Sequence, residues 1–366
     1  MPRRDDSALL PHPRGVRRTW RAAAPAVVAA AVLAATAACG GGSAPAAGGS
    51  GTAAGPLPVS ITQFATSFAS LPEYVANRKG FFTDNGLKAT MVQVANGTAA
   101  SQAVLSGSAD MSTNSIYEIL AAHQKGQPLQ YIAGGVAGGF GEIVTAPGQT
   151  LPHAQEGFPG VIQDLKGKRV GVSSIGAGTY YELTFLLGKA GMTPSDVTIV
   201  AAGALPAQLA ALKAGQLDAF MSQEPVTSQV LATDSGTVVY SLGTGPNPPP
   251  GSEHLMANGV VASTDWINGH PEEVKRVNAA VRQAVDYIKG LNDQSAGDLA
   301  TLLAPDLQGI PHDVVAKAIL NYRNVYEAEM APEGVDIGNQ QLVAAKVIPA
   351  PVAYNDVVNA IAREAS

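Results

Sequence analysis

One short pattern occurs twice in this 366-residue chain and constrains its fold more than any other feature. Each copy is a short helix-like run, a glycine, two further residues and an aspartate that opens a strand-like run. The copies occupy residues 100–110 and 208–218. Glycine after a helix adopts the left-handed backbone conformation that ends helices. Because each copy leads quickly into another helix-like run, we expect two α/β lobes of similar build.

Strand and helix signals alternate through both regions that contain the pattern. In the first region the predicted strands are 59–62, 87–94, 110–113 and 129–133, and the predicted helices are 72–79, 98–105 and 116–125. In the second region the predicted strands are 168–172, 197–201, 218–221 and 237–241, and the predicted helices are 179–189, 206–214 and 225–232. Such alternation is typical of a mostly parallel sheet covered by helices. The sequence therefore predicts the α/β class, with a mixed, mostly parallel sheet flanked by helices in each lobe.

The last third of the chain is predicted to be mostly helical. A strand at 255–262 precedes the clearest helix, at 271–289, which has proline at its start and glycine just past its end. Further helices are predicted at 311–324 and 352–364. The apolar stripe of the clearest helix consists of Val274, Val277, Val281, Val285 and Ile288.

The N-terminal region indicates an export signal. A stretch with four arginines, residues 14–21, precedes an unbroken run of small and apolar residues, 22–38, which ends at Cys39, the only cysteine. A basic head followed by a short apolar run is typical of a secretory signal. The segment 36–39, Thr-Ala-Ala-Cys, resembles a bacterial lipobox, in which the cysteine is lipidated. A membrane-spanning anchor and an ordinary signal with an incidental cysteine are the alternatives, and the export route, general or twin-arginine, stays open.

Composition limits what the exported part binds. Removing residues 1–38 leaves 17 basic and 27 acidic residues, a net charge of −10. This balance argues against nucleic acid and against an electrostatic membrane patch, since both need a basic surface. Residues 39–56 contain, after the cysteine, only Gly, Ser, Ala, Pro and Thr, so we expect a flexible tether.

Five segments resemble those of a known family. They are Tyr74–Phe82 (YVANRKGFF), Leu105–Asp110 (LSGSAD), Leu165–Val172 (LKGKRVGV), Lys189–Met192 (KAGM) and Ala214–Ala219 (AGQLDA). In this order and spacing they resemble the solute-binding proteins of the nitrate, sulfonate and taurine ABC importers. The resemblance covers residues 57–245, with a looser fit to the C-terminal helices.

This resemblance implies a type II periplasmic-binding-protein fold, in which a cleft between two lobes encloses a small-molecule solute. It implies lobe 1 at 57–142, lobe 2 at 143–248, and a return to lobe 1 with C-terminal helices at 249–366. The implied partners are the solute, the permease subunits of an ABC importer, and the outer face of the cell membrane through a lipid on Cys39. We expect an extracytoplasmic monomer that binds no nucleic acid, metal or cofactor.

No enzymatic activity is expected from the resemblance. A related branch makes the thiamine pyrimidine and carries a cysteine cluster, whereas this chain has no cysteine after Cys39. The alternative is a secreted enzyme or sensor on the same fold that handles a pyrimidine- or phosphonate-type molecule.

Candidate ligand-binding residues lie in loops that lead from predicted strands into predicted helices. Ligands of open α/β sheets bind at such strand ends, where unpaired backbone N–H groups attract polar atoms. The candidates are Phe64, Ser67, Phe68, Gly97, Thr98, Asn114, Ser115, Ser173, Ser174, Gly178, Thr179 and Glu224. These loops contain no Arg or Lys. A neutral, zwitterionic or aromatic organic solute is therefore predicted rather than a bare inorganic anion, and the resemblance implies a sulfonate- or taurine-like one.

Several candidates have a second interpretation. Thr179 and Glu182 match a capping box, in which they satisfy only local N–H groups. Thr98 is placed to cap a helix, and Gly97 would allow a ligand to approach the backbone closely. Glu224 could bind a ligand amine or stabilise the first turn of its own helix. The phenylalanines could stack on a ligand or pack in the core.

Overall fold

A computed structural model describes residues 55–64, 66–149, 151–243, 245–252, 258–307 and 309–363. The predicted export signal, Cys39 and nearly all of the tether lie outside the described residues.

The described residues form strands and helices in alternation. The strands are β1 (Leu57–Phe64), β2 (Leu87–Val94), β3 (Met111–Ser115), β4 (Leu129–Ala133), β5 (Gly135–Val136), β6 (Glu142–Thr145), β7 (Arg169–Val172), β8 (Thr198–Ala201), β9 (Ala219–Ser222), β10 (Thr237–Ser241), β11 (Asn258–Ser263) and β12 (Tyr326–Glu327). The helices are α1 (Leu71–Arg78), α2 (Phe81–Asp84), α3 (Gly97–Leu105), α4 (Ile116–Gln124), α5 (Gly160–Gln163), α6 (Gly178–Lys189), α7 (Leu205–Lys213), α8 (Val226–Ala232), α9 (Thr264–Gly269), α10 (Pro271–Lys289), α11 (Asp293–Leu303), α12 (His312–Tyr322), α13 (Pro332–Ala344) and α14 (Tyr354–Val357).

Two five-stranded sheets share one plan. The first has the order β2-β1-β3-β11-β4, and the second has the order β8-β7-β9-β6-β10. In each sheet the first three strands are parallel, and the fourth runs antiparallel to both of its neighbours. We call the first sheet with its helices lobe 1 and the second lobe 2. The predicted α/β fold with two similar lobes is confirmed.

The repeated aspartate joins two strands in each lobe. The backbone N–H of Ser60, in β1, donates to Asp110 Oδ2 at 2.7 Å, and that of Arg169, in β7, donates to Asp218 Oδ2 at 2.8 Å. Each aspartate N–H donates back to the same neighbour's carbonyl, at 3.1 and 2.9 Å. The repeated aspartate therefore aligns two adjacent parallel strands in each sheet, β1 with β3 and β7 with β9.

The apolar stripe of α10 is buried, as predicted. Its five residues are at most 3 % exposed and pack in the core of lobe 1 with residues of β1 and α1. No helix among the described residues is both long enough and apolar enough to cross a membrane.

The C-terminal segment differs from its prediction. The helix predicted at 352–364 is wrong: α14 is short and is followed by a 3₁₀ turn at Ala360–Ala362. Between them Val358 bridges to Tyr131 of β4, and the Asn359 N–H donates to the Tyr131 carbonyl at 2.9 Å. An edge strand offers unpaired backbone groups, and the tail satisfies those of β4 instead of continuing as a helix. Helices α9, α11 and α13 were not predicted.

Two connections carry the chain between the sheets, one from β5 to β6 and one from β10 to β11. They contact each other, because the Leu242 N–H donates to the Gly141 carbonyl at 2.9 Å. A Cβ on Gly139 would lie 2.6 Å from Leu242 Cγ, and one on Gly243 would lie 2.5 Å from the Gly139 oxygen. Glycine is therefore required for this close packing.

Candidate functional site

A cleft lies between the lobes at the carboxyl ends of the parallel strands. Its volume, with the open solvent at its mouth included, is about 620 Å³. Lobe 1 lines it with Phe64, Ser67, Ala69, Ala95, Asn96, Gly97, Ser115, Tyr117, Glu118 and Asn258, and lobe 2 with Ser173, Ala177, Gly178, Thr179, Glu182, Ala204, Leu205 and Gln223. These residues follow β1, β2 and β3 in one lobe and β7, β8 and β9 in the other, apart from Asn258 at the start of β11. Equivalent strand ends of the two lobes therefore build the cleft.

Hydrogen bonds join the lobes around the cleft. The Phe68 N–H donates to the Glu224 carbonyl at 2.7 Å, and Ser67 Oγ donates to Gln223 Oε1 at 3.3 Å. A third contact joins two hydroxyls at the rim. The lobes are thus in contact on their cleft-facing loops.

Seven of the predicted site residues line the cleft. They are Phe64, Ser67, Gly97, Ser115, Ser173, Gly178 and Thr179. Thr98 and Ser174 are instead the rim pair, with their hydroxyl oxygens 3.3 Å apart across the lobes. The other three, Phe68, Asn114 and Glu224, are buried behind the lining.

The buried candidates have structural partners. Phe68 is fully buried in the core of lobe 1. The Glu224 carboxylate accepts hydrogen bonds from the Ser228 N–H at 3.0 Å and from Ser228 Oγ at 2.9 Å. It therefore stabilises the first turn of α8, which is the helix-capping interpretation of this residue.

The capping box expected at Thr179 is absent, because α6 begins at Gly178. Thr179 Oγ1 accepts a hydrogen bond from the Ser173 N–H at 3.0 Å and lies 2.9 Å from Ser173 Oγ. It thus ties the loop to the end of β7. The cap of α3 is also not Thr98 but Asn96, whose Oδ1 accepts from the Ala99 N–H at 3.0 Å.

A capping carboxylate does occur at the start of α4. The Ser115 N–H donates to Glu118 Oε2 at 3.0 Å. Asn114 Nδ2 donates to the same oxygen at 3.1 Å, and to the Gly97 carbonyl and Ser101 Oγ at 2.9 Å each. Asn114 therefore orients Glu118 and the start of α3.

Gly97 is needed for Glu118. A Cβ at position 97 would lie 2.0 Å from Glu118 Oε1, closer than any real contact. The glycine expected to admit a ligand therefore admits a carboxylate of the protein itself.

Neither acidic residue of the lining was among the predicted ligand contacts: Glu118 was not singled out, and Glu182 was predicted only as a helix-capping residue. Glu118 and Glu182 are 7 % and 3 % exposed. Burial raises the pKa of both carboxyls, that of Glu182 to about 8. Hydrogen bonds from Asn114 and Ser115 oppose the shift at Glu118, and one from Gln223 opposes it at Glu182. The signal for Glu118 was in the sequence: Ser115 and Glu118 have capping-box spacing.

Three further lining residues were also missed. Tyr117 is 1 % exposed, and its ring centroid lies 5.2 Å from that of Tyr181 on the opposite lobe. Gln223 precedes a predicted helix but was passed over in favour of Glu224. Asn258 reaches the cleft on β11, which joins lobe 1 only after the whole of lobe 2, so no local pattern indicates it.

No group of three or more His, Cys, Asp or Glu side chains among the described residues is placed to hold a metal ion.

Two α/β lobes with a cleft between them at their strand ends are the arrangement of the periplasmic solute-binding fold. The alkanesulfonate-binding protein SsuA from Xanthomonas axonopodis pv. citri has this fold, with a TM-score of 0.67 and 19 % identity over 84 % of this chain and 99 % of that one. The chain belongs to the NMT1/THI5-like family, whose sequence profile matches residues 67–294. The family resemblance inferred from the sequence motifs is confirmed.

Sequence relatives fall into two groups by name. A 4-amino-5-hydroxymethyl-2-methylpyrimidine phosphate synthase of Candida albicans is 32 % identical over 135 residues, which are 36 % of this chain and 37 % of that protein. A protein of Brucella abortus named as a binding protein is 26 % identical over 257 residues, 68 % of this chain and 73 % of that one. Over the synthase relatives matched first, this chain spans between 37 % and 62 % of their length.

Proposed function

We propose that this protein is an extracytoplasmic receptor that captures a small organic solute between its lobes and delivers it to the permease of an ABC importer. The observation that carries the proposal is the cleft, which receives equivalent loops from both lobes. A solute held by both lobes favours the closed arrangement, because it gains contacts there that the open arrangement lacks. The names of the Xanthomonas and Brucella relatives support a binding role.

The composition of the lining supports an organic solute that is neutral, zwitterionic or aromatic. The described lining offers hydroxyls, amides and the rings of Phe64 and Tyr117, and it contains no Lys, Arg or His. A bare anion would be held only by neutral donors, next to two carboxyl groups. The proposed contacts are those of the lining candidates, with Asn114 acting through Glu118.

Attachment to the membrane is proposed through Cys39. In this proposal 1–38 is a signal, 39–56 is the lipid-bearing tether, and the monomeric body divides into lobe 1 at 57–142, lobe 2 at 143–248 and a return at 249–366. Replacing Cys39 by Ala should release the protein into the medium or block its maturation, as measured by fractionation. A Cys39→Ala protein that stays in the membrane would contradict the lipid anchor.

The second candidate is a secreted enzyme or sensor on this fold that acts on a pyrimidine- or phosphonate-type molecule. The name of the Candida relative favours it. The described lining contains no thiol and no imidazole, so Glu118 and Glu182 are the groups that would serve as acid or base in an enzyme. Conversion of 4-amino-5-hydroxymethyl-2-methylpyrimidine phosphate precursors by the purified protein would favour the enzyme.

Solute capture is tested by mass spectrometry of small molecules retained by the purified protein, followed by small-angle scattering with and without the retained solute. We expect a retained organic solute, a smaller radius of gyration when it is present, and a higher melting temperature, because a ligand of the folded state stabilises it. Absence of any retained solute, together with scattering that no extract of growth medium changes, would contradict a receptor.

A further inference from the structure

The cleft contains a buried acidic pair, Glu118 from lobe 1 and Glu182 from lobe 2. Each side chain is more than nine-tenths buried, and both line the cleft. Within the described residues, Glu118 Oε1 and Glu182 Oε2 have no hydrogen-bond partner. Buried charged groups in proteins are normally paired, and here a polar atom of a bound molecule would supply the partner.

The acidic pair acts across the lobes. The charge of Glu118 contributes to raising the pKa of Tyr181, after the larger effect of burial, and the charge of Glu182 does the same for Tyr117. Tyr117 precedes Glu118 in α4, and Tyr181 precedes Glu182 in α6, with the two rings in contact. Each carboxyl therefore lies within electrostatic reach of the opposite lobe.

The N-terminus of α4, one position where an anion could bind, is already occupied. Helix N-termini at strand ends attract anions, but at α4 the Ser115 N–H is bonded to Glu118 Oε2 at 3.0 Å. An anion placed there would displace this carboxylate and share the cleft with the Glu182 carboxyl. The described lining has no cation to offset the charge that either carboxyl gains when it ionises.

Resting on the proposed receptor function, we infer that the solute carries a protonated nitrogen, as in an amine or amidine, and that Glu118 and Glu182 bind it from opposite lobes. The cation supplies the charge that the lining lacks and bonds the two free carboxylate oxygens. Tyr117 and Phe64 line the same cleft, and aromatic faces attract cations. A planar cation with an apolar body fits this combination best.

The test compares three probes of one shape: benzamidinium, a cation, benzamide, which is neutral, and benzoate, an anion. Titration calorimetry with the purified protein should show benzamidinium binding about tenfold or more tightly than benzoate, with benzamide between them. Glu182→Gln and Glu118→Gln should each weaken benzamidinium binding about tenfold and change benzamide binding by less than about twofold. Glu73→Gln is the matched control, because Glu73 is also buried and its Oε2 also lacks a hydrogen-bond partner among the described residues, but it does not line the cleft. It should leave the order of the probes unchanged.

A second measurement detects the proton that Glu182 releases when a cation binds. The titratable groups that face the acidic pair are Tyr117, Tyr131, Tyr181 and Glu142. Because burial raises the pKa of Glu182 to about 8, this carboxyl holds a proton near neutral pH and should lose it when the cation binds. Calorimetry in buffers of different ionisation heat should detect released protons for wild type and fewer for Glu182→Gln. Since Glu118 also caps α4, Glu182→Gln decides the test if Glu118→Gln does not fold.

Benzoate binding as tightly as benzamidinium, or benzamidinium binding unchanged in Glu182→Gln, would overturn the inference. If none of the three probes binds, the solute retained through purification decides: a solute with a protonated nitrogen, cationic or zwitterionic, supports the inference, and a solute without one overturns it while leaving the receptor function in place. Retention of no solute by a folded protein that binds no probe would overturn both.

Discussion

At the scale of single residues, one carboxylate determines the identity of its neighbours. Glu118 requires glycine at position 97 for space and Asn114 for a hydrogen bond. Asn114 in turn bonds the carbonyl of Gly97, so one residue each from α3, β3 and α4 form one unit. Loops that sequence analysis treats as separate ligand contacts are therefore coupled through a residue of the protein.

The first prediction tests this coupling with Gly97→Ala. The added Cβ would meet Glu118 Oε1, so the carboxylate must move and the free energy of unfolding should fall by about 1–3 kcal/mol. Urea denaturation measures the change. Gly188→Ala is the control, because a Cβ there meets open space in α6; it should leave stability unchanged or raise it by up to about 1 kcal/mol. Equal losses in both variants would show that Glu118 does not restrict position 97.

Asn114→Ala is the second test at this scale. It removes a fully buried amide that donates to the Gly97 carbonyl, Ser101 and Glu118 and accepts from Ser112. Solute affinity should fall by about 1–3 kcal/mol, because Glu118 loses a hydrogen bond that orients it in the cleft. Calorimetry with the retained solute measures the loss, and Ser106→Ala, at an exposed position after α3, is the control. Unchanged affinity in Asn114→Ala would separate this residue from the site.

At the scale of elements, the same aspartate contact occurs in each lobe. Asp110 accepts a backbone N–H of β1 and Asp218 one of β7, and the N–H of each aspartate donates to the carbonyl of the same residue. Because side-chain and backbone bonds act together, the contact defines how β1 aligns with β3 and how β7 aligns with β9. The equivalence of the lobes thus extends to individual atoms.

Asp110→Ala and Asp218→Ala should each lower the free energy of unfolding by about 1–3 kcal/mol, because a strand N–H loses its acceptor. Thermal or urea denaturation of the two variants measures this. Asp336→Ala on the exposed side of α13 is the control and should change stability by no more than about 0.5 kcal/mol. A loss in only one lobe would contradict the structural equivalence of the two contacts.

At the scale of the whole molecule, several carboxyl groups are buried without a basic partner. Burial raises the pKa of Glu73 and Glu224 to about 7 and that of Glu182 to about 8. A raised carboxyl pKa means that the folded state binds more protons than the unfolded state. Stability then falls as pH rises.

These pKa values set the pH range over which stability should change. The cost of burying the charges is absent below the ordinary carboxyl pKa of 4.5, grows as pH rises, and is complete above about 8. The free energy of unfolding, measured by urea denaturation across this window, should decline. Glu73→Gln should flatten the decline between 4.5 and about 7, whereas Glu333→Gln, at an exposed position on α13, should not. A stability that rises over the window would contradict the burial of these groups as carboxylic acids.

Several elements could be predicted from the sequence because their signals are local. Strands β2, β4 and β10 and helix α10 have the predicted bounds, since a glycine or proline marks the start of each. The lobe repeat was also visible, because the left-handed glycines at 107 and 215 and the aspartates after them are tied to one backbone geometry. Loops at strand ends likewise indicated where the cleft would lie.

Tertiary structure alone decided which side chains meet. The tail at 358–359 pairs with β4, and Asn258 enters the cleft beside residues from the start of the chain. Glu118 and Glu182, separated in sequence, face one cleft because α4 of lobe 1 and α6 of lobe 2 approach each other. Periodicity specifies which face of an element is buried, but strand order and lobe contact depend on apolar surfaces shared by distant segments. The charge of the cleft, and hence the class of solute proposed here, is a property of that contact.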